Sequence, residues 1–153
     1  MPQDGVEILL VEDNQDDVEL AVHALRRENL ANRIEVARDG EEALDFLFCR
    51  GQYNNRTFQA PPRLVLLDLK LPKVDGLEVL KEVKSDPRTK AIPVVIITSS
   101  REEQDLVNGY QLGANAYIQK PVDFAQFRDV VKQLGLFWLV VNQAPPAAAF
   151  RAG

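Results

Sequence analysis

The chain has 153 residues, 46% hydrophobic and 27% charged, with a formal net charge of −5. That balance excludes a disordered chain and argues against a basic duplex-binding surface, so nucleic acid is not an expected partner. No apolar run nears the roughly 20 residues of a membrane span.

Read in chain order, 7-EILLVE-12 predicts a first strand. Residues 14–29 predict a helix, with Val18, Ala21, Val22 and Leu25 on one face and Asp17, Glu19, Arg26 and Arg27 opposite. A strand at 33–37 and a helix at 40–49 follow, the helix carrying Ala43, Leu44, Leu47 and Phe48. Residues 50–62 hold Gly, Asn and Pro without periodicity and predict an extended surface loop. A strand at 63–68 leads through a turn at Asp75–Gly76 to a helix at 76–85, which ends before Pro87. Then come a strand at 92–98, a helix at 101–112 from a Ser100 cap to Gly113, and a strand at 115–119. The last helix is expected over 122–141, with Phe124, Phe127, Val131, Leu134 and Trp138 facing the core. Residues 142–153 read as a flexible tail, which leaves one domain over 6–141.

The runs at 8–11, 64–67 and 94–97 are continuously apolar, as in parallel strands covered on both faces. The βα repetition therefore predicts an α/β, doubly wound parallel sheet with right-handed crossovers. Ligands in such sheets bind at the carboxyl ends of the strands. There the chain places Glu12 and Asp13, then Asp68, Thr98 and Lys120.

Three carboxylates so close repel one another and require positive charge. Lys120 supplies one cation, and Mg²⁺, which suits hard oxygen ligands, is expected as the other, with Mn²⁺ able to substitute. His23 is the only histidine and Cys49 the only cysteine, so neither a zinc site nor an internal disulfide is expected. A metal, a lysine and a hydroxyl beside a carboxylate suit phosphoryl transfer. Asp68 stands alone at its strand end, whereas Glu12 and Asp13 form a pair suited to metal. Asp68 is thus the expected phosphoacceptor.

VEDN at 11–14, LLDLKLPKVDG at 66–76, IITSS at 96–100 and the KP pair at 120–121 together resemble the receiver domain of bacterial two-component response regulators. The resemblance covers residues 6–135. It implies a flavodoxin-like (βα)5 fold of strand order 2-1-3-4-5, and a sensor histidine kinase as the phosphoryl donor to Asp68. It also implies Mg²⁺ held by Glu12, Asp13, Asp68 and the backbone carbonyl of Lys70. Thr98 and Lys120 match the residues that bind the phosphoryl group, Thr98 and Tyr117 the switch pair. Lys70 and Ser100 occupy positions that tune phosphoryl lifetime, and Pro121 resembles a proline that follows a cis bond. The opening VEDNxxD, the long 50–62 loop and the LPKxDG turn resemble the single-domain regulators of cyanobacterial phytochrome kinases, which makes a phytochrome the implied kinase.

The opening MPQDGVEILL has no charged n-region or cleavage site, so a cytoplasmic protein is expected. No output module is read after residue 141, so the signal is expected to leave by contact with a protein target the sequence does not identify. The run 136-LFWLVV-141 is too continuously apolar for a one-sided helix. Phe137, Leu139, Val140 and Val141 are therefore expected to form a homodimer or partner surface.

Three rival readings are weaker. An aspartate-nucleophile phosphatase carries a second acid two residues after the nucleophile, where this chain has Lys70. A nucleotide binder needs a Gly-rich loop after the first strand, where this chain has VEDNQDD. A phosphorylation-independent scaffold (a pseudo-receiver) has no need of the intact acids and lysine. A signalling phosphoacceptor rather than an enzyme is the expectation.

Overall fold

The computed structural model describes residues 5–27, 31 and 33–151. Five strands, β1 (Ile8–Val11), β2 (Ile34–Ala37), β3 (Leu64–Leu67), β4 (Val94–Thr98) and β5 (Ala116–Gln119), pair in parallel in the order β2-β1-β3-β4-β5. Strand order reverses between β1 and β3, where Val11 stands opposite Leu67. The next residues, Glu12 and Asp68, therefore leave the sheet side by side.

Helices α1 (Gln15–Arg27), α2 (Gly40–Leu47), α3 (Gly76–Ser85), α4 (Glu103–Gln111) and α5 (Phe124–Gly135) alternate with the strands. One core layer packs Leu9, Val65, Leu67 and Ile96 against α2 and α3. The other packs Ile8, Leu10, Leu66 and Val95 against α1 and α5. β1, β3 and β4 are buried throughout, as their unbroken apolar runs require, whereas edge strands β2 and β5 are half-covered. The expected end of the first helix, residues 28 and 29, lies outside the described residues.

The turn from β3 to α3 is very close-packed. A Cβ on Gly76 would lie 2.2 Å from the Asp68 carbonyl oxygen, so only glycine lets the start of α3 close against β3. Asp75 caps α3 through its side chain, accepting from the Glu78 N–H.

Several expectations change. The last helix stays α-helical only to Gly135; Leu136–Val141 is a π-helix, with the Asn142 N–H donating to the Phe137 carbonyl at 2.6 Å. The wider turn shifts the buried face by one residue. Leu139, five places after Leu134, fills the core position at 5% exposure, while Trp138 packs only partly. Leu139 is therefore removed from the expected partner surface. Phe124 faces solvent rather than core, because it sits in the first turn of α5 beyond the Asp123 cap.

The loop at 50–62 is less extended than expected. Gly51–Tyr53 forms a 3-10 turn, and Arg56 stacks on the Phe46 ring with its centre 3.6 Å from the ring centroid. The tail is also anchored. Ala147–Phe150 forms a 3-10 turn, and Phe150 is 3% exposed in a groove with Pro61, Pro62 and Pro93. The small alanines let the chain approach closely enough to bury that ring.

Candidate functional site

The carboxyl ends of β1, β3 and β5 bring Glu12, Asp13, Asp68 and Lys120 together. Glu12, Asp13 and Asp68 each present an oxygen within 4.8 Å of the others. Glu12 and Asp68 are buried and Asp13 is exposed. Asp68, 6% exposed, accepts from the Leu69 N–H at 2.7 Å on Oδ1 and lies 3.3 Å from Lys120 Nζ on Oδ2. Glu12 receives Lys120 Nζ at 2.7 Å on one oxygen and the Asn14 N–H at 3.1 Å on the other.

Burial pushes the Glu12 carboxyl up to about 7; Lys120 opposes this and the Asp68 charge adds to it. Burial also disfavours the Lys120 charge, but bonds to Asp17 and Glu12 and the charge of Asp68 outweigh it and hold the ammonium above the ordinary lysine range. Three oxygen donors at this spacing, one of them open to solvent, fit Mg²⁺ or Mn²⁺. Soft-metal chemistry has no donors here.

Thr98 is fully buried at the end of β4, and its carbonyl accepts the Lys120 N–H at 2.6 Å. The backbone thus ties the lysine to the threonine. Among the described residues there is no cis peptide bond, so Lys120–Pro121 is trans, the form favoured even before proline. Tyr117 lies in β5 with its hydroxyl buried on the side of Ser100; burial raises its pKa, and Ser100 opposes the rise. The ring is thus already turned inward in this structure.

Lys70 and Ser100 meet at a residue the sequence reading did not single out. Asp105 accepts from Ser100 Oγ at 2.6 Å and pairs with Lys70 Nζ at 3.5 Å. Ser100 is therefore no helix cap: the residue before α4 is Glu102, which lacks a side-chain capping bond. A cleft of about 390 Å³ runs beside the site, lined among others by Asp13, Lys70 and Asp105. Asp17, the second missed residue, takes Lys120 Nζ at 2.8 Å. Its signal lies in VEDNQDD, where helical spacing alone places Asp17 on the polar face of α1.

The expected partner surface lies apart from these residues. Phe137, Val140 and Val141 are exposed together with Leu136. No helix of the described residues is long and apolar enough to cross a membrane.

Comparison with known proteins matches this arrangement. The family model described as response regulator receiver domain matches residues 8–132. The chain is 41% identical to the probable methanogenesis regulatory protein FilR2 of Methanothrix harundinacea, over 95% of this chain and 92% of that one. It is 39% identical to response regulator Rcp1 of Synechocystis, over 92% of this chain and 93% of that protein. The Mn²⁺-bound form of Rcp1 superposes with a TM-score of 0.84, covering 90% of this chain and 97% of that one at 39% identity. The phosphorylated cyanobacterial phytochrome response regulator RcpA superposes with a TM-score of 0.86, covering 92% and 99% at 42% identity.

Proposed function

The chain belongs to the response regulator receiver family, and on that premise we propose that it accepts a phosphoryl group on Asp68 from a sensor histidine kinase and signals by a change of its partner-binding face. The family is a signalling one, and the reading makes this chain a phosphoacceptor rather than an enzyme with a substrate of its own. The observation that carries it is the setting of Asp68: a buried carboxylate at the sheet's switch point, held by the Leu69 N–H and faced by Lys120.

In the transfer, an Asp68 oxygen forms a bond to phosphorus as the phosphorus–nitrogen bond of the donor phosphohistidine breaks. The electron pair returns to the imidazole nitrogen, leaving an acyl phosphate on Asp68. Lys120 pairs with the incoming phosphoryl oxygens, giving up part of its bonding to Glu12 and Asp17. Glu12, Asp13, Asp68 and the Lys70 carbonyl would hold Mg²⁺ or Mn²⁺, which when bound would supply further positive charge to the site.

Thr98 then turns its hydroxyl to the phosphoryl group, and the space it leaves is held by the inward Tyr117 ring. Two populations exchange, with α4, β5 and α5 presenting different faces. Lys70 and Ser100 tune the lifetime, Lys70 by screening the acyl phosphate from water, so Lys70→Ala shortens it. A phytochrome-class kinase is the donor favoured by the likeness to RcpA, and phosphotransfer from a kinase panel identifies it. The exposed Leu136, Phe137, Val140 and Val141 form the contact of a homodimer.

Labelling with acetyl phosphate and Mg²⁺ tests the central assignment. Wild type incorporates phosphate and Asp68→Asn does not; equal labelling refutes it.

A further inference from the structure

We propose that Asp105 is a positioning residue that sets the lifetime of the phosphorylated state by holding the Lys70 ammonium away from Asp68. The inference rests on Asp68 being the phosphoacceptor and deepens that reading.

Asp105 stands in the first turn of α4, and its side chain is 12% exposed. A carboxylate so buried requires partners. It has Ser100 Oγ at 2.6 Å and Lys70 Nζ at 3.5 Å. Lys70 is divided between two neighbours: its backbone N–H lies 3.4 Å from Asp68 Oδ1, while its ammonium points across the cleft to α4. The lysine stem is long and flexible, so its head can serve either end of that span.

Phosphorylation places nearly two negative charges on the Asp68 side. The phosphoryl group and Asp105 then compete for one ammonium. Hydrolysis needs water to form a bond to phosphorus as the phosphorus–oxygen bond to Asp68 breaks. The electron pair returns to the carboxylate, and the water proton leaves with inorganic phosphate. A lysine head over the phosphoryl group obstructs the water; a head held by Asp105 leaves the approach open. Ser100 adds a link to the switch. It lies two residues beyond Thr98, so movement of that loop is passed to α4 through the Ser100–Asp105 bond.

The test is the decay of phosphate label from purified protein phosphorylated with acetyl phosphate. Asp105→Asn keeps an acceptor for Ser100 but drops the charge. It should lengthen the lifetime about two- to fivefold, the range for an ion pair with one partner exposed. Asp105→Glu, which keeps the charge, should stay near wild type. In a Lys70→Ala background, Asp105→Asn should change nothing. An unchanged or shortened lifetime in Asp105→Asn overturns the proposal, as does equal lengthening with Lys70 absent. Should Asp105→Asn fail to fold, Asp105→Ser offers Ser100 a hydroxyl and is read the same way. Failure of the phosphoacceptor reading appears separately, as label retained in Asp68→Asn.

Discussion

Lys120 Nζ lies 2.8 Å from Asp17 Oδ2 and 3.3 Å from Asp68 Oδ2, so the lysine is held more closely by helix α1 than by the acid at the end of β3. With Glu12 at 2.7 Å, one ammonium is shared among three carboxylates. Lys120→Gln should therefore cost about 3 kcal/mol of stability in chelator, because two buried acids lose their charge partner. Added Mg²⁺ should restore much of it. Urea denaturation with and without Mg²⁺ measures both.

The Glu12 carboxyl, raised by burial from the model-peptide value of 4.5 to about 7, makes a signed prediction. A raised acid favours the fold below its unfolded pKa, and that advantage is lost as pH climbs through the folded value. Metal-free protein should thus lose stability across roughly pH 4.5–7 relative to Glu12→Gln. Mg²⁺ affinity should rise over the same window and flatten above it, since binding displaces the proton. Calorimetry in buffers of different ionisation heat reads the proton release directly.

Gly76→Ala should destabilise by about 1–3 kcal/mol, the range for overpacking. The added Cβ meets backbone, not a yielding side chain. It should also slow phosphorylation, because relief of the clash moves the Asp68–Leu69 peptide. Labelling rates at equal folded fraction separate the two effects.

The π-helix divides its apolar residues into two kinds. Leu139→Ala should cost about 2–4 kcal/mol through the cavity it leaves. Phe137→Ser and Val140→Ser should leave stability nearly unchanged and weaken self-association. Sedimentation at high micromolar concentration checks this; a wild type that remains monomeric there, phosphorylated or not, overturns the dimer.

These contrasts mark what a reading of residues reaches. Runs such as 64-LVLL-67 and 94-VVII-97 announce buried parallel strands, and topology alone carries Glu12, Asp68 and Lys120 to one edge. Asp105 was hidden because its partner Lys70 lies 35 residues earlier and its own segment is an ordinary polar helix start. Trp138 and Leu139 exchanged places because α-helical spacing was carried through a stretch that bonds i to i+5. Phe150 was overlooked because proline and alanine around it signal disorder, while a single buried ring suffices to pin the segment.

Phe150 anchors near Pro61, Pro62 and Pro93, where β3 and β4 begin, and Gly5 precedes β1 at the same pole. The acids and Lys120 occupy the opposite pole. The molecule is thus a plug with a fixed base and a working tip. Attached to a support or a reporter through either described end of the chain, it would still present its reactive carboxylate outward to an approaching donor.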